Sequence, residues 1–188
     1  VAVDALAVFV HKDNPIEGLS LAEVDAVFSR ERRRGLKYPV NVWGDVMLFD
    51  EEWEKSPIQL YGRNGNSGTA SFFREHVLNG ADLKKTMEAG DGSAAVVIDL
   101  MRDRFGIGFS SIGYRTSEVR PVPLASVKGG RYVEPTFETA MDGSYPLRRN
   151  LYLYINRPPK LAPPGPILEY VKFALSQRGQ KIVIDQGY

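Results

Sequence analysis

The sequence predicts an α/β fold with a largely parallel or mixed sheet, and three observations carry that prediction. Short apolar runs bounded by turn residues alternate with segments of helical period over most of the chain. A capping box marks the start of the first helix. Further on, a strand passes through a glycine-rich turn directly into a helix, and a second strand-helix alternation follows.

Taken in order, residues 1–11 are dense in Val, Ala, Leu and Phe and end at Lys12-Asp13-Asn14-Pro15, so they read as a buried strand. Ser20 with Glu23 forms the capping box. Leu19 against Val24 forms a hydrophobic staple, and Val27 and Phe28 continue the apolar face. Residues 40–43 and 58–61 read as short strands, with the acidic, aromatic segment 50–55 between them as a surface excursion. Phe73 and Val77 stand one helical turn apart, and Asn79-Gly80 supplies a left-handed stop. Ser93 reads as the N-cap of a helix carrying Ala94, Val97, Leu100 and Met101, followed by a strand over 107–111. A short helix from Thr136 to Met141 closes at Gly143, and a strand spans 151–155. A stiff proline-rich connector covers 158–166, and Ile167, Leu168, Val171 and Leu175 form one face of a terminal helix. No internal repeat is visible.

The chain has 188 residues, 43% apolar and 25% charged, which suits one large or two small globular domains. Formal net charge is +1 with scattered basic residues, so a nucleic-acid partner is not expected. The run Arg30, Arg32, Arg33, Arg34 is interrupted by Glu31 and follows a helix, which predicts a solvated helix end complementing the macrodipole. Cysteine is absent, excluding disulfides, thiolate metal sites and cysteine nucleophiles. No apolar run approaches the ~20 residues of a membrane helix. The first ten residues lack a basic leader and the chain does not begin with Met, so a processed or partial chain is expected. Neither a metal nor a cofactor is expected.

The chemistry concentrates in residues 61–73, where glycines lead a strand into a helix with hydroxylic first residues. Amides of Gly68, Thr69 and Ala70 are expected to point out of the helix start, where the dipole adds partial positive charge. Ser67 and Thr69 add hydroxyls, and Arg63, six positions before Thr69, can bring a planar guanidinium to the same anion. The plainer reading is that Ser67 or Thr69 only caps the helix and the glycines only shape the turn. A nucleotide-hydrolysing P-loop requires a lysine before the last hydroxyl, and Gly68 stands there instead. Other enzyme signals are poor. His11 and His76 are isolated, His76 reads as a partly buried packing residue, and Glu51, Glu52 and Glu54 read as a solvated loop. Ser110 and Ser111 end a strand, where ligands of open α/β sheets sit, so they are secondary binding candidates; forming a turn with Gly113 is the alternative.

Arg63-Asn64-Gly65-Asn66-Ser67-Gly68-Thr69 resembles the Arg-x-x-x-Ser-Gly-Thr loop of the phosphate-binding proteins of ABC importers, which have the type II periplasmic-binding-protein fold. The stretch from Gly106 to Tyr114 is similar to that family's Gly-Ile-Gly-Tyr strand. Glu134 to Thr139 and Tyr145 to Arg149 resemble the segment before its return hinge. The resemblance implies two lobes joined by hinge strands, with residues 12–150 as the anion-binding second lobe. Residues 1–11 and 151–188 would then be hinge strands and C-terminal helices of a first lobe that this chain carries only in part. It implies Arg63, Ser67, Gly68 and Thr69 as phosphate ligands, with further ligands, including an acidic acceptor, in the first-lobe segment that family members carry ahead of this region. It also implies non-catalytic capture of inorganic phosphate in the periplasm or another extracytoplasmic space, with delivery to an ABC permease in the membrane. A sensing or interaction module that keeps the lobe without transporting is the alternative.

Overall fold

The computed structural model describes residues 1–186. Strand β1 (Ala2–His11) is the spine of the fold. Its residues from Leu6 to Val10 are fully buried on both faces, as the unbroken apolar run requires. The elements that follow are β2 (Leu19–Ser20), α1 (Leu21–Phe28), β3 (Gln59–Arg63), α2 (Gly68–His76), β4 (Glu88–Gly90), α3 (Ser93–Leu100) and β5 (Gly106–Ser111). After them come β6 (Val119–Pro121), β7 (Leu124–Ala125), α4 (Phe137–Asp142), β8 (Arg148–Leu151), α5 (Gly165–Leu175) and α6 (Gln177–Asp185).

Among the described residues the main sheet runs β4-β3-β5-β1-β6, with β8 pairing the first half of β1. Strands β4, β3 and β5 are mutually parallel, whereas β1 is antiparallel to β5, β6 and β8. This mixed sheet is the one the alternating pattern predicts. Its consequence for function is positional, because the C-terminal ends of three parallel strands and the beginning of β1 meet along one edge. That edge is where ligands of open α/β sheets bind.

The two-residue period of β1 sorts its side chains onto opposite faces. Leu6, Val8 and Val10 pack with Phe28 of α1, Phe73 of α2 and Phe109 of β5. Ala7 and Phe9 face Tyr61, Val96, Val97, Leu100 and Val119, so α3 covers the other side. Phe73 and Phe109 stack at 3.9 Å, and Phe28 meets both edge-on at 5.1 and 5.6 Å, geometries that suit the ring quadrupole.

The capping box forms as read: the Ser20 hydroxyl accepts from the Glu23 amide and the Glu23 carboxylate accepts from the Ser20 amide. Asn79 and Gly80 take the left-handed conformation, with φ of 48° and 76°, and Gly143 ends α4 at φ 82°. Four expectations need correction. The basic run does not complement α1; Arg34 donates to the carbonyls of His76 and Val77, and Arg33 to that of Asn79 at 3.2 Å, so the charge sits on the C-terminus of α2. Residues 40–43 are not a strand. The Asp45 carboxylate accepts from the amides of Asn41 and Val42 at 2.8 and 3.1 Å, pulling the chain into a 3-10 turn (Trp43–Val46). The strand expected at 151–155 is instead Arg148–Leu151, because its pairing with β1 ends at Ala2 opposite Leu151. His76 is exposed, not partly buried, and stacks on Phe72 at 4.0 Å.

Helices α5 and α6 pack on each other through Gly179, where the Phe173 carbonyl lies so close that a Cβ would not fit. No residue of α5 is buried, and Ile167, Phe173 and Leu175 remain substantially exposed. Among the described residues no helix is long and apolar enough to cross a membrane.

Candidate functional site

Strand β3 ends at Arg63, and five residues later α2 begins. Ser67 is the N-cap, in extended conformation, and its hydroxyl accepts from the Ala70 amide at 3.0 Å. The expectation that Ala70 would offer a free amide is therefore wrong, because the cap has taken it. The amides of Gly68 and Thr69 make no hydrogen bond among the described residues. A Cβ built on Gly65 or Gly68 would meet nothing within 4 Å, so the approach to those amides is open. Thr69 and Ala70 are both buried, which anchors the helix start to the core. Two donors, two hydroxyls and the positive end of a nine-residue helix thus share one turn.

Arg63 reaches sideways across the sheet edge. Its Nη1 donates to the Ser93 hydroxyl at 2.7 Å, and its Nε is buried without a hydrogen-bond partner among the described residues. Among the described residues no carboxylate holds it. Nor does any hydrogen bond join Arg63 to Ser67, Gly68 or Thr69; the guanidinium flanks their turn while bound to the neighbouring helix start. Ser93 itself is not the cap of α3. Gly92 occupies that position, and Ser93, one residue inside the helix, has its hydroxyl free for Arg63.

The secondary candidates hold the frame. Ser110 donates to the Ser93 carbonyl at 3.0 Å, and Ser111 donates to Asp4 Oδ1 at 2.7 Å; both are buried. Each hydroxyl proton is directed at a protein acceptor. The chain also turns there as expected: Ser111 is the N-cap of a 3-10 turn, Ile112–Tyr114, that contains Gly113, although its side chain does not cap it. Beneath them, the Tyr61 hydroxyl donates to Asp103 at 3.0 Å. Burial, reinforced by that bond, raises the Tyr61 phenol far above its ordinary range and keeps it a donor.

Two residues near this edge, Asp4 and Arg149, escape sequence reasoning as site residues, and the contact of Ser93 with Arg63 escapes it too. Asp4, 1% exposed, stands directly opposite Arg149 in the β1–β8 ladder. Arg149 places Nε and Nη2 on Asp4 Oδ2 at 2.8 and 2.7 Å. The same guanidinium lies 3.4 Å from the Thr69 hydroxyl and 3.5 Å from the Gly68 carbonyl, with its face 5.5 Å from the Phe72 ring. The one signal available beforehand was the acidic residue interrupting the apolar run of residues 1–10.

Residues 1–178 match a family model described as PBP superfamily domain. The chain is 46% identical over 189 residues to the phosphate-binding protein PstS of Pseudomonas aeruginosa, covering all of this chain and 58% of the relative. It is 31% identical over 193 residues to the phosphate-binding protein PstS of Staphylococcus haemolyticus, covering 56% of that relative. The chain thus spans somewhat more than half the length of these relatives. Among solved structures, a Clostridium perfringens protein with bound phosphate superposes at a TM-score of 0.77 with 24% identity, over 98% of this chain and 68% of that one. An ABC-type phosphate transport receptor from Vibrio cholerae superposes at 0.74 with 19% identity, over all of this chain and 69% of that one. At these identities both likenesses speak for the fold.

Proposed function

Because the chain belongs to the PBP superfamily, we propose that it supplies the oxyanion-gripping part of a receptor that captures inorganic phosphate and hands it to the membrane permease of an ABC uptake system. The names of the relatives support phosphate as the ligand. The observation that carries the reading is the turn between β3 and α2, where two unpaired amides, that of Gly68 beside open space, share a helix N-terminus with two hydroxyls. Gly68 and Thr69 donate main-chain N–H groups, and Ser67 and Thr69 donate hydroxyl protons. Arg63 supplies the charge through the donors that Ser93 leaves free. Capture requires no bond in the ligand to be made or broken, so none of these groups has to titrate.

In this reading residues 12–150 form the ligand-bearing lobe, while residues 1–11 and 151–188 are hinge strands and part of the opposing lobe. The pairing of β1 with β8 through its first four residues supports a hinge there, whereas the rest of β1 pairs with β5 and β6 and is built into the sheet of the ligand-bearing lobe. Receptors of this kind work outside the cytoplasmic membrane, so a periplasmic or extracytoplasmic location belongs to the same proposal.

The test is calorimetric titration of the full-length protein with phosphate. Arg63→Ala removes a charge-assisted donor, and the affinity is expected to fall by more than about tenfold. An unchanged affinity in a folded Arg63→Ala protein refutes the assignment.

A further inference from the structure

We infer that Arg149 is a positioning residue for the bound oxyanion: anchored on Asp4, it engages the lone pairs of the Thr69 hydroxyl and thereby turns the Thr69 O–H toward the ligand. This rests on the phosphate reading above and adds to it a residue from outside the loop.

The anchor is rigid. Asp4 is 1% exposed and holds Ser111 on Oδ1 and the Nε and Nη2 of Arg149 on Oδ2. Two donors on one carboxylate fix the plane of the guanidinium, and the ring of Phe72 lies along its face. From that plane Nη2 is 3.4 Å from Thr69 Oγ1 and Nη1 is 3.5 Å from the Gly68 carbonyl.

The chemistry follows from what each group is able to do. A guanidinium only donates, and a hydroxyl has one proton and two lone pairs. Toward Arg149, Thr69 Oγ1 is therefore an acceptor, and its single proton is left for another acceptor. Thr69 is the second residue of α2, so the carbonyl four residues earlier is that of Gly65 in the loop, outside the helical geometry that favours a backward hydrogen bond. No such bond to Gly65 is made among the described residues. At 3.4 Å the contact is long, and what orients the hydroxyl is the local N–H dipole of Nη2, held in place by Asp4. Asp4 neutralises Arg149 as a pair, so Arg149 is not a second counter-charge for the anion; its effect passes through Thr69. The arrangement also fastens the β1–β8 ladder to the first turn of α2.

The test is a thermodynamic cycle on the full-length protein, read by calorimetry with inorganic phosphate. Asp4→Asn/Arg149→Gln removes both members, so no buried charge is stranded. The association constant is expected to fall about fivefold in this double variant and about tenfold in Thr69→Val. With Thr69→Val already in place, removing the pair should change the affinity by less than about twofold, because the group it positions is gone. In a Thr69→Ser background the pair should matter again. Losses that simply multiply, or a folded double variant that binds like the wild type, overturn the inference. Should the double variant fail to fold, Arg149→Lys, which keeps a cation for Asp4 without the planar fork that spans Asp4 and Thr69, goes through the same cycle with the same outcomes. Wild-type protein that takes no phosphate overturns the functional reading at the first titration, a failure distinct from a bound phosphate with multiplying losses.

Discussion

Helices α2 and α5 are built alike and used differently. They have nine and eleven residues, and each presents apolar side chains along one face. Yet Phe73 of α2 is completely buried, whereas Phe173 of α5 is 45% exposed. Phe73 meets two other rings because β3 and β5 deliver it to the centre of the sheet. Helix α5 follows a proline-rich stretch and meets chiefly α6. Local sequence is enough to form both helices, but burial depends on which surface the chain path brings opposite. In the proposed division into lobes, the stripe on α5 is a packing face of the lobe opposite the phosphate.

The contrast predicts a large difference between two phenylalanines. Phe73→Ala should destabilise the protein by about 3–5 kcal/mol, since it deletes a ring from a filled core. Phe173→Ala should lose less than about 1 kcal/mol, in keeping with its half-exposed setting. Urea unfolding of both variants measures the difference, and equal losses would mean that α5 is packed as tightly as α2.

Two serines sharpen the comparison at smaller scale. Ser67 caps α2 through its hydroxyl, so Ser67→Ala should lower stability by about 1 kcal/mol. At α3 the cap is Gly92, without a side-chain bond, so Ser93→Ala should leave the helix end unchanged and release only the Arg63 contact. The urea midpoint should shift for the first variant and much less for the second; the reverse order would contradict the assigned roles.

The smallest effect lies at the surface, where Lys12 and Glu118 pair at 2.7 Å beside the end of β1. The hydrogen bond from Lys12 lowers the Glu118 pKa, and the same bond raises that of Lys12. A lowered carboxylate pKa gives stability that is present above the unfolded-state value, near ~4.3, and disappears as pH falls through the folded value. The raised lysine value gives stability present below its unfolded pKa and lost as pH rises through the folded one. Melting temperatures of wild type and Glu118→Gln should differ slightly at neutral pH and converge in strong acid; a gap that persists there would assign the effect to packing.

These contrasts also explain what could be read from the chain beforehand. The buried strand β1, the Ser20–Glu23 capping box and the Asn79-Gly80 stop depend on residues within a few positions of one another, and pattern reasoning recovers them. The Ser67-Gly68-Thr69 turn is legible for the same reason. Gly92 and Ser93 can each begin a helix, so local sequence does not separate them, and the contact of Ser93 with Arg63, thirty residues away, is tertiary. Asp4 and Arg149 are 145 positions apart, and only the register of β1 on β8 brings them together. Arg34 likewise serves the end of α2 rather than α1 through a tertiary approach that no local spacing encodes. Local chemistry thus identified the loop, and its supports depended on topology.

The decisive observation is the amide spectrum of the isotopically labelled full-length protein as phosphate is added. The Gly68 and Thr69 resonances should show saturable shifts among the largest in the chain, with the Ala70 amide moving less because Ser67 already holds it. Saturable phosphate binding that leaves Gly68 and Thr69 unmoved would place the ligand elsewhere and contradict the site described above.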